Sequence, residues 1–215
     1  MFKENLQKNW KMLLISSIAI FAPMIAGLIL WDKLPETIAT HFNFNNQPNS
    51  YSSKAFVVFG IPSILFLIHL FASFATFIDK KSANIPQKAL NVIFWLVPTI
   101  GTTVMTIIFL FALQMKINVG FVCNVLLGVL FVILGNIMPK ASQNSTFGIR
   151  IKPTLSNSQN CFFTHRFAGM LWAAGGIIII ATAFLNNPFI FFGVLLLITI
   201  LPIIYSYRYA SKHKN

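Results

Sequence analysis

The chain has 215 residues, 56% of them hydrophobic and 9% charged, with a mean hydropathy of +0.75. Soluble domains are about 25% charged, so this composition excludes a soluble enzyme domain and a disordered tail. With two cysteines it also excludes a disulfide scaffold. Sixteen Lys and Arg against four Asp and Glu give a formal charge of +12, borne by a chain that is mostly lipid-soluble.

About 20 apolar residues cross a hydrocarbon core, and six stretches meet or approach that length: 12–31, 55–77, 91–113, 118–137, 167–185 and 188–205. The fold class is therefore all-α, an integral membrane protein of six transmembrane helices. The first stretch reads as an uncleaved anchor, because its apolar run exceeds a signal-peptide core and no small-x-small site follows it. The loop 32–54 comes next, with Pro35 expected to open a short helical turn that Thr37 to His41 complete. Asn45-Asn46-Gln47-Pro48-Asn49 is turn chemistry, and Ser52 or Ser53 is placed to cap the second span. This loop should be ordered and compact.

His69 is the single ionisable group well inside a span, and the simpler reading is a neutral imidazole bonded to a neighbouring helix; the other is a relay or ligand. Gln114, Met115, Lys116 and Ile117 make the short turn between the third and fourth spans. In the fourth, Gly128 and Gly135 recur on one face, as do Gly169, Ala173 and Gly176 in the fifth. Such spacing allows two helices to pack closely. Between these spans lies a second long loop, 138–166. Gly148 is expected to supply a turn with positive φ, Ser156 or Asn157 to cap a short amphipathic helix, and Thr164 to cap the fifth span. Asn186 and Asn187 before Pro188 read as a tight hairpin between the last two spans.

The Lys and Arg residues orient these spans, because translocated loops tolerate few. With both termini in the cytoplasm, thirteen of the sixteen fall on the inner side, leaving Lys33, Lys54 and Lys116 outside. The +12 is thus explained by orientation and anionic inner-leaflet lipid, and no direct nucleic-acid partner is expected. The domains divide at 1–113, with the outer loop 32–54, and 114–215, with the inner loop 138–166. Cys123 falls in a span and Cys161 in the inner loop, so they are not expected to pair.

All four acids (Glu4, Asp32, Glu36 and Asp79) lie outside the spans or at their ends, which argues against a proton relay or an aspartyl intramembrane protease. No metal site, cofactor or catalytic triad is expected, since His41 and His165 are assigned to opposite sides.

Two motifs resemble known sequences. Leu34-Pro35 through His41-Phe42-Asn43 to Pro48, Tyr51 and Ser53-Lys54 resembles an extracytoplasmic domain of unknown function found in bacterial membrane proteins. Gly135-Asn136-Ile137-Met138-Pro139-Lys140, Asn144, Gly148-Ile149-Arg150, Thr154-Leu155-Ser156 and Thr164-His165-Arg166-Phe167-Ala168-Gly169 resembles the SdpI family. Asn46 and Asn49 stand where the first pattern has glycine and aspartate, and Lys152-Pro153 where the second has Pro-Trp. The resemblance implies a multi-pass protein of the bacterial plasma membrane that gives immunity to a secreted, membrane-active peptide toxin. It also implies signalling, by holding a cytosolic autorepressor at the membrane. On that reading Pro35, His41, Asn43, Tyr51 and Lys54 meet the toxin. Asn136, Pro139, Lys140, Asn144, Gly148, Arg150, Thr154, His165 and Arg166 form the inner partner surface. The simpler role for His41 and Asn43 is to satisfy backbone groups of their own loop, and for the inner bases to contact lipid. A small permease or exporter component is the alternative function.

Overall fold

The computed structural model describes residues 2–79, 85–144 and 146–213. Lys80, Lys81 and Lys214, which enter the charge asymmetry, and Ser145 lie outside the described residues. Six helical stretches are long and apolar enough to cross a membrane: Lys3–Ile29, Phe56–Ile78, Gln87–Ala112, Val119–Lys140, Ser158–Leu185 and Pro188–Lys212. Their outward faces carry Ile18, Leu67, Phe71, Met170, Ile177 and Phe189, which only a lipid solvent accommodates. The protein is a multi-pass membrane protein. Its residues pack as two compact units, Met1–Phe77 with Asn91–Gly120, and Ile78–Leu90 with Phe121–Asn215.

In the first unit the opening span is interrupted. Helix α1 (Phe2–Ile20) stops before Phe21 and resumes as α2 (Ala22–Ile29). Pro23, in the first turn of α2, has no N–H to continue the α1 ladder. After a short 3-10 turn at Trp31–Lys33, strands β1 (Thr37–Phe42) and β2 (Pro48–Ser53) pair antiparallel. The helical turn expected from Pro35 to His41 is therefore wrong. Thr37, Ile38 and Thr40 are β-branched and favour a pleated backbone, and pairing with β2 satisfies the backbone groups that a single helical turn would leave open. Ile38 is buried with Leu34, Val57, Val58, Met105, Ile108 and Phe109, seating the hairpin on the helices. The register slips on either side of His41, so that Thr40 and Asn49 fall at bulges.

A turn of π-helix, Phe56–Gly60, leads into α3 (Ile61–Ile78). The Ser53 hydroxyl accepts from the Phe56 N–H at 3.3 Å, the cap anticipated for the second span. Helix α4 (Gln87–Ala112) ends with Gln114 at φ 63, and the Met115 N–H reaches back to the Leu110 carbonyl. This is a left-handed helix stop made without glycine.

The second unit holds most of α5 (Val119–Ile137), with α6 (Lys152–Ser156), α7 (Ser158–Thr182) and α8 (Pro188–Lys212). The small-residue faces of α5 and α7 meet. A β-carbon at Gly128 would lie 2.8 Å from the Gly176 carbonyl oxygen, and one at Gly135 would lie 2.5 Å from the Ala173 nitrogen. Helices α7 and α8 are joined by Trp172, whose indole N–H donates to the Ile198 carbonyl at 3.0 Å, and by the stacked rings of Phe167 and Tyr205. Their hairpin forms as expected, with Asn186 at φ 48 and Asn187 accepting from the Phe189 N–H at 2.9 Å.

Three expectations for the long loop are corrected. Thr164 does not cap the fifth span. Helix α7 begins at Ser158 and runs through Thr164, capped by the Asn157 side chain, which accepts from the Asn160 N–H at 2.9 Å. Asn157 consequently caps the span itself rather than a separate amphipathic helix. The short helix, α6, ends at Ser156 instead of starting there. The hydropathy of 158–166 is low because Asn160, Thr164 and His165 on its buried face are polar, and a window that counts apolar residues starts the span too late.

Candidate functional site

The hairpin is fixed at both ends by side-chain hydrogen bonds. At its base, Lys54 is buried, and its ammonium donates to the carbonyls of Trp31 and Leu34, each at 3.3 Å, and to Glu36 Oε1 at 2.9 Å. It also sits 4.8 Å from the Trp31 ring centroid. All three ammonium hydrogens are therefore committed, and the indole face adds a cation–π contact. Glu36 is 88% exposed, so its share of the pair is screened by solvent.

At the tip, Asn43 Oδ1 accepts from the N–H groups of Asn45 and Gln47, each at 3.0 Å, which holds the turn. Asn46, at φ 60, donates to the Ile117 carbonyl at 2.8 Å and accepts from the Val119 N–H at 2.7 Å. One amide thus caps α5 in trans and ties the hairpin to the α4–α5 connection. His41 Nδ1 meets Asn49 Oδ1 across the two bulges. Pro35, His41, Phe44 and Tyr51 are exposed. Beside the tip lies an open groove of about 540 Å³, lined by Asn46, Phe111 and residues 114–118. Phe111 is packed edge-on against Phe42 there.

In the second unit the long loop folds around His165. Its Nδ1 is 2.8 Å from the Ala141 carbonyl and its Nε2 is 3.1 Å from the Ile149 nitrogen. A carbonyl only accepts and a backbone N–H only donates, so the proton is on Nδ1 and Nε2 is the bare acceptor. Both ring nitrogens are consumed, and the imidazole is a structural node. Gly148, at φ 104, lies against this ring: a β-carbon there would stand 2.5 Å from Nε2. Cys161 Sγ lies 3.7 Å from His165 Nδ1, and neither Cys161 nor Cys123 is disulfide-bonded.

Asn144 Oδ1 accepts from the N–H groups of Thr146 and Phe147, at 2.9 and 2.6 Å. The Thr154 hydroxyl accepts from the Ile151 N–H and lies 2.7 Å from the Ile149 carbonyl. Gln143 donates to the Thr154 carbonyl, and the Thr146 hydroxyl to Asp79 at 2.7 Å. The structure therefore gathers Asn144, Gly148, Thr154 and His165 into one buried frame. Pro139 packs on Gly169, and the Asn136 amide returns to the Val132 carbonyl of its own helix.

Lys140, Arg150, Lys152 and Arg166 stand on the surface of this frame, with no ion-pair partner among the described residues. Arg166 shares its face of α7 with exposed Phe162, Phe163 and Met170, the setting in which a long basic side chain reaches for a lipid headgroup. A hollow of about 550 Å³ opens between α6 and the C-terminal turns of α8, with Lys152, Asn157, Tyr207 and His213 among its lining.

Sequence reasoning missed Asn46 and Glu36 as partners of the hairpin. It also missed the Asn160–Ser206 link, in which Asn160 accepts from the Ser206 hydroxyl at 2.6 Å and donates to the Ser206 carbonyl at 2.8 Å. The available signal for Asn160 was Thr164 four residues on, which places two polar side chains on one helix face; the Thr164 hydroxyl donates to Asn160 at 2.9 Å.

Residues 140–206 match the model of the SdpI/YfhL protein family, and residues 18–66 match DUF1648, a domain of unknown function. The chain is 26% identical over 204 residues to "Immunity protein SdpI" of Bacillus subtilis (strain 168), covering 93% of this chain and 96% of that protein. No solved structure matches it. The DUF1648 segment contains the hairpin and the SdpI/YfhL segment contains the His165 frame, and the similarity to the immunity protein runs the length of both chains.

Proposed function

We propose that this protein gives a bacterial cell immunity to a secreted, membrane-active peptide. The observation that supports this reading is the end-to-end similarity to a protein named for immunity. In this reading the protein lies in the plasma membrane with the hairpin outside and both termini in the cytoplasm, as the distribution of Lys and Arg favours. The peptide meets the hairpin, where Pro35, His41, Tyr51 and Phe44 are exposed. The groove beside the tip offers an amphipathic chain an apolar floor at Phe111 and Met115. Asn43 and Lys54 act as positioning residues, because their polar atoms are committed to the loop.

On the cytoplasmic side, Lys140, Arg150 and Arg166 present positive charge to lipid and to a cytosolic protein, in the signalling case a repressor held at the membrane. Asn136 and Pro139 flank that surface, while Asn144, Gly148, Thr154 and His165 shape the frame beneath it. Expression in a strain sensitive to such a peptide tests the first half. Survival should rise, and a pair of substitutions, His41→Ala with Tyr51→Ala, should reduce the protection at unchanged membrane abundance. No gain in survival against any peptide of this class overturns the reading. Signalling is tested separately by following a co-expressed repressor into the membrane fraction: Arg150→Ala with Arg166→Ala should release it, and unchanged recruitment removes these residues from the role.

A further inference from the structure

Three helices of the first unit enclose a polar seam. On α1, Asn5, Asn9 and Ser16 fall on one face; on α3, His69, Ser73 and Thr76 do the same. The Asn5 amide donates to the Phe77 carbonyl at 3.2 Å, and Ser16 Oγ lies 3.1 Å from His69 Nε2, which sets the two helices antiparallel along the seam. Ser16, His69, Ser73 and Thr76 are all buried, and Phe94 of α4 closes over the imidazole with its ring edge-on.

The hydrogen-bond bookkeeping fixes the state of the ring. Ser16 Oγ is also 3.1 Å from the Leu13 carbonyl, which only accepts, so the single hydroxyl proton goes there. His69 Nε2 must then donate to Ser16, leaving Nδ1 as a bare lone pair. Nδ1 meets no hydrogen-bond partner in the protein, and neither does the Ser73 hydroxyl one turn further along α3. Two adjacent unmet polar atoms of complementary sense, one an acceptor and one able to donate or accept, are costly in an apolar interior. Side chains four apart on a helix are separated by about 5–6 Å at their β-carbons, a span that one water bridges.

We propose that His69 and Ser73 form a binding site for a single buried water molecule within the membrane-spanning part of the protein. The water donates one hydrogen to Nδ1 and bonds the Ser73 hydroxyl, which keeps His69 in the Nε2–H tautomer. This water completes the polar seam at His69, while the Asn9 and Asn5 amides further along bond to the carbonyls of Asn5 and Phe77.

Two measurements on the full-length protein in micelles test this. With 15N-labelled histidine, the His69 Nδ1 resonance should show magnetisation transfer from a bound water; no transfer overturns the proposal. Ser73→Ala should lower the melting temperature by a few degrees, because it removes a partner of the water. A melting temperature that stays or rises also overturns it, since deleting a hydroxyl with no partner relieves a burial penalty.

Discussion

Gly135 and Gly169 meet backbone to backbone: a β-carbon at Gly135 would lie 2.7 Å from the Gly169 carbonyl oxygen, and one at Gly169 the same distance from the Gly135 carbonyl oxygen. Replacing glycine by alanine inside a helix ordinarily stabilises by about 0.5–1 kcal/mol. Here the sign should invert. Gly135→Ala forces α5 and α7 apart along the whole crossing, and overpacking of this kind costs about 1–3 kcal/mol. Gly193 of α8 is the internal control, since a β-carbon there meets nothing within 4 Å. Thermal unfolding in detergent should show Gly135→Ala melting lower than the parent and Gly193→Ala melting level or higher. Equal behaviour of the two would remove the close crossing.

Asn46 performs three tasks: it adopts φ 60, donates to Ile117 and accepts from Val119. Asn46→Gly keeps the backbone conformation and loses the two hydrogen bonds; Asn46→Ala loses all three. The expected order of stability is parent, then Gly, then Ala, with the alanine variant down by about 2 kcal/mol from the unmet cap and the left-handed backbone. Amide exchange at Val119 should accelerate in both variants. If exchange there is unchanged, the hairpin tip does not cap α5.

What the sequence made legible follows the strength of the signal. Six spans, the turn at 45–49, the positive φ at Gly148, the Asn186–Asn187 hairpin and the small-residue faces were each readable, because length, turn residue types and helical spacing are local properties. The β-hairpin was not read, although Thr37-Ile38 and Thr40 carried a strand preference, because Pro35 also suits a helix start and the deciding contact is the burial of Ile38 against Val57, Met105 and Phe109 far along the chain. The long loop was half legible. Its conspicuous residues were identified, but whether Asn144, Thr154 and His165 face outward or inward depends on bonds to Thr146, Ile149 and Ala141 that spacing does not show.

Gly148 is held by conformation and by space at once. Its φ is 104, which an L side chain rarely adopts, and the His165 ring occupies the volume of any β-carbon. Gly148→Ala should therefore break the Ile149–His165 bond and cost at least about 1–3 kcal/mol from backbone strain alone. Limited proteolysis should cut between residues 142 and 151 in this variant before any other site. A parent-like digestion pattern would show that the loop does not depend on the imidazole node.

Lys54 separates an exposed ion pair from a buried set of hydrogen bonds. Glu36→Gln removes only the screened charge, and exposed pairs contribute at most about 1 kcal/mol. Lys54→Met keeps most of the side-chain volume but leaves the Leu34 carbonyl without its side-chain donor, leaves the Trp31 carbonyl with the Leu34 N–H alone, and removes the cation from the indole face. A buried acceptor stripped of its partner costs about 1–3 kcal/mol, and the Leu34 carbonyl is one. The methionine variant should therefore lose several-fold more stability than the glutamine variant, and its loss should persist in high salt, where the pair with Glu36 is already screened. Melting both variants at low and high ionic strength decides the matter. If Glu36→Gln is the more damaging, or if the effect of Lys54→Met vanishes in salt, the ion pair rather than the carbonyl cage holds the base of the hairpin.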